Sequence, residues 1–483
     1  MASEKSIKKN YIFNLSYQIL LLITPLITTP YVSRILGADG IGTVSYAESI
    51  VSYFVLFATM GITTYGQREI SYVQQSVEKR SAVFWNTKIL EFVTSGIMLI
   101  VYLIFALFQK NALIYIILSC NIIAVFFDIS WFFQGLEEFG KIVLRNVIFK
   151  FINIAYIFTV VRTKDDLILY VVGLTVFSVL SNISLWVYLP KYIIKVDRTD
   201  LHPFKDFKVV IGLFVPTIAI QVYTVLDKTM IGIITQDSFE NGYYEQAIKI
   251  SRMVLTVVTA LGTVMIPRIG YYFKEDNKEK IRDLMYRGYQ FVWFLGIPLC
   301  FGLVMASSNF VPWFFGDGYD KVADLLKVLA FLILAIGINN VTGMQYLIPT
   351  GREKLFTTTV LIGAGVNFCL NAILIAFFQS EGAAIASVIA ESTIAVVQII
   401  MVRKELSPWE IIRRSRNYCI AGAVMVAVLF ILNRFLISGI INTAILIAVG
   451  ACSYFTVLLV LRDHFFLNNI NIILTKMKGK ISK

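Results

Sequence analysis

Four basic side chains lie well inside long apolar runs of this sequence: Arg34, Lys228, Lys249 and Arg252. Arginine binds a phosphate group through two parallel N–H···O hydrogen bonds, and lysine binds it as a point charge. Lys249 and Arg252 are three residues apart, so a helix places them on the same face. These residue types in this pattern predict a binding site for a phosphate-bearing anion.

Acidic side chains in similar apolar surroundings predict a second kind of chemistry. An ionised carboxylate inside a bilayer costs at least roughly 2.5–3.5 kcal/mol, so such residues commonly mark ion or proton pathways. We therefore consider five of them as groups that exchange a proton or a sodium ion with a membrane gradient. They are Glu48, Glu91, Asp128, Asp227 and Glu391.

A structural interpretation competes with both hypotheses. Glu245 lies one helical turn before Lys249 and is a ready ion-pair partner for it. Asp227 can likewise neutralise a cation on a neighbouring helix, and buried acids often hydrogen-bond helices to one another. For these residues the sequence leaves a binding role and a pairing role open.

The elements that position these charges are membrane helices. Hydrophobic residues make up 57% of the 483 residues and charged residues only 15%, against about 25% charged in soluble proteins. A soluble fold could not bury so much apolar surface, whereas a bilayer acts as an apolar solvent. The net charge of +12 then indicates contact with anionic lipid rather than with nucleic acid.

The apolar runs predict an all-α polytopic membrane protein with about fourteen transmembrane helices, since each crossing needs roughly 20 residues. We expect two six-helix lobes around a central cavity, followed by two extra helices. The predicted divisions are an N-terminal lobe, a cytoplasmic linker loop, a C-terminal lobe, and the extra helices with a basic tail. Their boundaries are 1–189, 190–208, 209–402 and 403–483.

The distribution of lysine and arginine predicts the orientation. With the N-terminus in the cytoplasm, most of the basic residues outside the apolar runs fall on the cytoplasmic side, as the positive-inside rule requires. Both termini are then cytoplasmic, and the membrane is the bacterial inner membrane. The basic residues left on the outer side are Arg34, Lys110, Arg162, Lys164, Lys321, Lys327 and Arg434.

The two halves of the sequence share local patterns. Gly135 and Gly351 each follow an apolar run and each precede a glutamate, which predicts that both glycines end a helix. Gly42 and Gly242 occupy similar positions near the first and seventh apolar runs. These matches favour a repeat of six helices in the same direction, a known transporter plan. The alternative is that unrelated helix ends use the same residues.

Several function classes lack their signatures. The sequence has no phosphate-binding G-x-x-x-x-G-K-[ST] run, no H-E-x-x-H and no C-x-x-C pair, and it contains two histidines. We therefore expect no catalytic residues, no metal site and no cofactor beyond a coupling proton or sodium ion.

Five stretches resemble the polysaccharide repeat-unit flippases, a family of the multidrug/oligosaccharidyl-lipid/polysaccharide exporter superfamily. The resemblance extends over nearly the whole chain, and its most specific part is Trp-Phe-Phe-Gln-Gly-Leu-Glu. The stretches lie at residues 9–15, 25–37, 66–70, 128–139 and 349–354.

The resemblance implies export of an undecaprenyl-pyrophosphate oligosaccharide through a cationic cavity by alternating access. Relatives carry either capsule or exopolysaccharide repeat units or teichoic-acid precursors. Implied partners are that substrate, anionic lipids and the polysaccharide polymerase machinery. One alternative is an ion-coupled multidrug antiporter, whose cavity should be acidic or apolar. A second is a scaffold without transport, whose charges should all be paired.

Overall fold

The computed structural model describes residues 4–260 and 262–469, and this part of the chain is helical without a β-strand. Apolar runs form helices because backbone groups in lipid must bond within their own segment. The predicted basic tail beyond residue 469 lies outside the described residues. The α-helices are α1 Glu4–Thr59, α2 Ile62–Tyr72, α3 Val77–Leu107, α4 Ala112–Leu118, α5 Cys120–Phe127, α6 Ser130–Gly135, α7 Phe139–Val160, α8 Leu167–Trp186, α9 Phe207–Thr235, α10 Ser238–Thr259, α11 Gly262–Lys274, α12 Lys278–Phe315, α13 Asp320–Leu329, α14 Leu332–Asn339, α15 Glu353–Val402, α16 Pro408–Arg413, α17 Arg416–Asn433 and α18 Ile440–Val460.

Ten helical stretches of the described chain are long and apolar enough to cross a membrane. Two of them, Ile23–Tyr72 and Glu353–Val402, contain 50 residues each. Fifty helical residues extend about 75 Å, more than twice the roughly 30 Å hydrocarbon core. Both stretches are interrupted, at Gly37 with φ 70° and at Gln379 with φ 52°. The predicted all-α polytopic fold is confirmed, and the count of fourteen helices remains a prediction.

The chain forms two compact units, Met1–Gly242 and Tyr243–Lys483. In the first unit, α9 packs against α1. In the second, α17 and α18 pack against α12, where the Tyr454 hydroxyl donates to the Phe294 carbonyl at 3.0 Å. The predicted boundaries at residues 189, 208 and 402 remain predictions.

Gly42 and Gly242 make a reciprocal close contact within the first unit. A Cβ on Gly42 would lie 1.7 Å from the carbonyl oxygen of Ser238, four residues before Gly242, and a Cβ on Gly242 would lie 2.0 Å from the carbonyl oxygen of Ala38, four residues before Gly42. Real Cβ atoms do not approach other atoms so closely, so both positions require glycine. A reciprocal contact is what two equivalent segments make when they meet, and it therefore favours the predicted repeat.

The two predicted helix stops differ in structure. Gly351 has φ 73° and ends its helix as predicted. Gly135 is the last residue of α6, so this helix also ends where predicted, but the left-handed residue after it is Glu137, with φ 60°, rather than the glycine. Gly135 is needed for close packing instead, because a Cβ there would lie 2.8 Å from the carbonyl oxygen of Gln67.

Residues predicted to share the cytoplasmic side of the first unit lie together. Arg80 donates to the Tyr192 carbonyl at 2.6 Å, and Lys141 lies 3.0 Å from Glu138. Arg80 belongs to the first turns of α3, whereas Lys110, predicted to be outside, follows its last residue. Arg80 and Lys110 therefore lie at opposite ends of α3, and which end is cytoplasmic remains a prediction.

Candidate functional site

Arg34 lies on α1, three residues before the break at Gly37. Its side chain is exposed, while its neighbours Val32, Ser33 and Leu36 are buried. The buried face packs inside the first unit, so the guanidinium belongs to the accessible face. An arginine at bilayer depth faces lipid only at a high free-energy cost, which favours a polar environment for Arg34.

Asp227 and Lys228 lie on α9, beside the contact of this helix with α1. Both side chains are half-buried. The neighbouring Thr229 is buried and bonds the hydroxyls of Ser49, at 3.0 Å, and Tyr53, at 3.1 Å. The Asp227–Lys228 pair is therefore held next to a packed polar contact between two helices.

The side-chain amide of Asn241 holds the α9 backbone at Lys228. Its nitrogen donates to the Lys228 carbonyl at 2.9 Å, and its oxygen accepts from the Gly232 N–H at 3.0 Å. These two backbone groups are the ones that an α-helix pairs with each other. An amide that bonds both groups joins the start of α10 to the last turns of α9.

In the second unit, Glu245, Lys249 and Arg252 form an accessible stripe on α10. Lys249 lies 3.5 Å from Glu245, and the Arg252 side chain is exposed. The other face of α10 is buried, where Ser251 donates to the Leu329 carbonyl at 2.9 Å. The predicted common face is therefore present, and the pairing of Lys249 with Glu245 that we considered is present as well.

Glu91 occurs in a buried ion pair with Lys88 on α3. The Lys88 ammonium lies 2.7 Å from the Glu91 carboxylate, and both side chains are 0% exposed. Lys88 also donates to the Asp128 carbonyl at 2.7 Å, and it lies over the rings of Phe92 and Trp186. Lys88 is not among the predicted site residues, although the spacing of Lys88 and Glu91 predicts contact on a helix.

The remaining acids are spread over several helices. Asp128 lies at the break between α5 and α6, where its carboxylate accepts the Ser130 N–H at 2.8 Å. Glu48 is half-buried on α1. Glu391 is buried on α15 and accepts a hydrogen bond from Asn339 at 2.9 Å. The structure thus brings Glu91 and the Asp128 backbone together, and their role in ion coupling remains a prediction.

The structure also contains a polar cavity of about 640 Å³ that the sequence patterns did not predict. It lies in the first unit, among α1 just after its break, the connection from α3 to α4, and the connection from α9 to α10. Polar residues mark each of these three breaks, namely Asp39, Gln109 and Asp237. That pattern was available in the sequence, but only the packing of α1, α3 and α9 shows that the three breaks converge.

Two family models match this chain. Residues 7–273 match the family described as polysaccharide biosynthesis protein, and residues 143–450 match the family described as lipid II flippase MurJ. Each match covers more than half of the chain. Among curated relatives, the "Putative O-antigen transporter" of Escherichia coli (strain K12) is 24% identical over 412 residues, covering 82% of this chain and 97% of the relative.

Solved transporter structures have a similar fold. The structure titled lipid II flippase MurJ, inward closed conformation, has a TM-score of 0.68 at 16% identity and covers 94% of this chain and 99% of that one. An outward-facing multidrug resistance MATE family transporter of the MOP superfamily has a TM-score of 0.56 at 14% identity, covering 85% and 96%. The relatives are named as transporters and flippases, which confirms the prediction of a transport protein rather than an enzyme.

Proposed function

Because this chain belongs to the polysaccharide biosynthesis protein family, we propose that it moves an undecaprenyl-pyrophosphate-linked oligosaccharide across the membrane. Movement runs from the cytoplasmic to the outer leaflet of a bacterial inner membrane, by alternating access. The glycan is a capsule or exopolysaccharide repeat unit or a teichoic-acid precursor. The names of the relatives, an O-antigen transporter and a lipid II flippase, support this substrate class.

The observation that carries this proposal is the accessibility of the side chains of Arg34 on α1 and Arg252 on α10. An accessible guanidinium can bind each phosphate of a pyrophosphate through two hydrogen bonds. Lys228 and Lys249 add point charges on the same helices as Asp227 and Arg252. Together these four residues form the proposed pyrophosphate-binding set.

The alternative is an ion-coupled multidrug antiporter. The MATE likeness at 14% identity supports the common fold and does not distinguish the two substrates. A cationic drug would be repelled by Arg34 and Arg252, whereas a pyrophosphate would be attracted. The charge of these side chains therefore favours the lipid-linked oligosaccharide.

Three further features belong to the proposal. Glu48, Glu91, Asp128, Asp227 and Glu391 are the candidates for coupling movement to a proton or sodium gradient. Both termini lie in the cytoplasm. Anionic lipids bind the basic cytoplasmic surface, and the polysaccharide polymerase machinery receives the product.

Complementation of a flippase-deleted strain tests the function. Donor strains with different known glycans receive this chain, and the lipid-linked oligosaccharide that accumulates in the cells is quantified. Rescue with one glycan identifies the substrate. Loss of one charge-assisted hydrogen bond costs roughly 1.5–3 kcal/mol, so Arg34→Ala, Lys228→Ala and Arg252→Ala should each lower rescue about tenfold or more.

Lys164→Ala is the matched control, because Lys164 is an exposed cation outside the proposed set. It should rescue like the unchanged chain at equal protein level. Full rescue by all three test variants would show that these cations do not bind the substrate. Rescue of a drug-sensitive strain, with no rescue for any glycan, would favour the antiporter.

A further inference from the structure

The polar cavity of the first unit has the size of a ligand site. Its volume of about 640 Å³ falls within the roughly 300–1,000 Å³ that small-molecule sites occupy. Its lining includes Lys110 and Asn111, which connect α3 to α4 at the end of α3 opposite Arg80. In the proposed orientation this end is the outer one.

The lining is suited to hydroxyl groups rather than to phosphate. Every lining residue except Gly232 and Ile233 has a polar side chain. Three of the lining amides are exposed or half-buried and provide both donors and acceptors, which neutral sugar hydroxyls can match, whereas the amide of Asn241 is buried and bonds the α9 backbone. The lining amides are Gln109, Asn111, Gln236 and Asn241.

The charges of the lining residues also favour a sugar over a phosphate group. The lining contains two carboxylates, Asp39 and Asp237, and one cation, Lys110, so the described lining has an excess of negative charge. An anionic pyrophosphate would be repelled there. A neutral or amino sugar meets no such repulsion, and carboxylates commonly accept hydrogen bonds from its hydroxyl or amino groups.

The cavity wall is held in place by packing. Ser238 donates a hydrogen bond to the Asp39 carboxylate, which joins the start of α10 to α1. The close contact of Gly42 with Gly242 lies beside this bond. Asn241 is 1% exposed and bonds the α9 backbone. A site formed before the ligand arrives loses less entropy on binding.

The same helices carry the cavity and two of the proposed pyrophosphate-binding residues. Arg34 precedes the lining residue Asp39 by five positions on α1. Asn241, which lines the cavity, bonds the backbone of Lys228 on α9. A glycan attached to a pyrophosphate would thus find acceptors for its two chemically different parts on α1 and α9.

We propose that this cavity binds the glycan part of the substrate, as a neutral or amino-sugar oligosaccharide, apart from the pyrophosphate. The proposal rests on the proposed function for the lipid-linked source of the glycan and for the outer position of the cavity. It assigns the selection among glycans to the amides of the cavity rather than to the arginines.

Cysteine protection tests this site in the full chain. Ile233→Cys, at an exposed lining residue that is not one of the amides, places a thiol in the lining, and the rate of labelling by a membrane-impermeant maleimide is measured in nanodiscs. The unchanged chain, with its five native cysteines, gives the background rate. Lys164→Cys is the control, because Lys164 is exposed and is not part of the cavity lining. The probes are neutral and N-acetylated di- and trisaccharides, with inorganic pyrophosphate as the anion.

A saccharide at ten times its Kd should slow labelling in the cavity roughly tenfold by mass action, without slowing the control. Protection by none of the saccharides, or equal protection by pyrophosphate, would overturn the glycan site. The complementation experiment is independent of this result. Failed complementation with saccharide protection rejects the proposed function and supports a sugar site, whereas rescue without protection rejects the sugar site alone.

The source of the glycan is tested in whole cells. Labelling of Ile233→Cys is compared between cells that synthesise the lipid-linked oligosaccharide and cells blocked in its first step. Slower labelling only in the synthesising cells supports the lipid-linked source. Equal labelling in the two strains, together with protection by free saccharides, would overturn that source.

Discussion

Two ion pairs, one on α3 and one on α10, have similar spacing in the sequence but differ in how far their side chains are exposed. Lys88 and Glu91 are three residues apart and both 0% exposed, with a 2.7 Å contact. Lys249 and Glu245 are four residues apart, 32% and 17% exposed, with a 3.5 Å contact. The exposed Arg252 continues the second group, whereas aromatic rings cover the first.

This difference separates two reasons for placing charge in a membrane helix. The Lys88 ammonium donates hydrogen bonds to the Glu91 carboxylate and to the Asp128 carbonyl, so the pair joins α3 to the break between α5 and α6. The α10 stripe keeps its charge accessible and can meet a ligand. Accessibility after packing therefore separates a charged residue that can contact a ligand from one that joins helices to each other.

The largest effect is expected from breaking the buried pair. Glu91→Ala leaves Lys88 charged and without its carboxylate in a fully buried site, which destabilises proteins by roughly 3–5 kcal/mol. We expect a large loss of thermal stability in detergent, measured by the midpoint of unfolding. Glu245→Ala is the matched change in the accessible stripe and should change the midpoint little, since partly exposed pairs contribute about 0–1 kcal/mol. Similar midpoints for the two variants would contradict the comparison.

The next effect concerns transport rather than stability. Arg252→Ala should lower rescue of the flippase-deleted strain about tenfold or more, through loss of a charge-assisted hydrogen bond. Lys249→Ala should lower it less, because Glu245 already neutralises part of the lysine charge. Neither should shift the unfolding midpoint as Glu91→Ala does. An unfolding midpoint lowered as far as that of Glu91→Ala would assign the stripe a structural role.

A smaller effect is expected from the packing around the buried pair. Trp131 lies beside Glu91, and a Cβ on Gly66 would lie 2.5 Å from the Trp131 ring. Gly66→Ala should destabilise the protein by roughly 1–3 kcal/mol through overpacking. Gly96→Ala, on the helix of the pair but with open space around it, should stabilise by about 0.5–1 kcal/mol. The midpoints of thermal unfolding measure both effects. A higher midpoint for Gly66→Ala than for Gly96→Ala would contradict this prediction.

The smallest effect is expected when both members of the buried pair are replaced. Lys88→Met with Glu91→Leu removes both charges and keeps apolar volume, a change that is often neutral or stabilising. The double variant should unfold near the midpoint of the unchanged chain, and retained rescue would remove Glu91 from the candidates for ion coupling. Normal stability with lost rescue would instead assign Glu91 to ion coupling.

Much of the fold could be predicted from the sequence, because length and hydropathy are properties of each segment alone. The stripe on α10 was also predictable, since helical spacing places Glu245, Lys249 and Arg252 on one side. The packing role of Gly135 could not be predicted, because the atom that leaves no room for a Cβ there belongs to Gln67 on a different helix. The polar cavity could not be predicted for the same reason, because its lining comes from three segments that are distant in the sequence.

By itself the sequence determined that this chain crosses a membrane as helices, since the bilayer acts on each apolar run separately. It also determined which residues bring charge into those helices. Only the tertiary structure decided which charges are enclosed and which remain accessible. The reason is that burial depends on contacts between distant segments, as when Lys88 meets the carbonyl of Asp128.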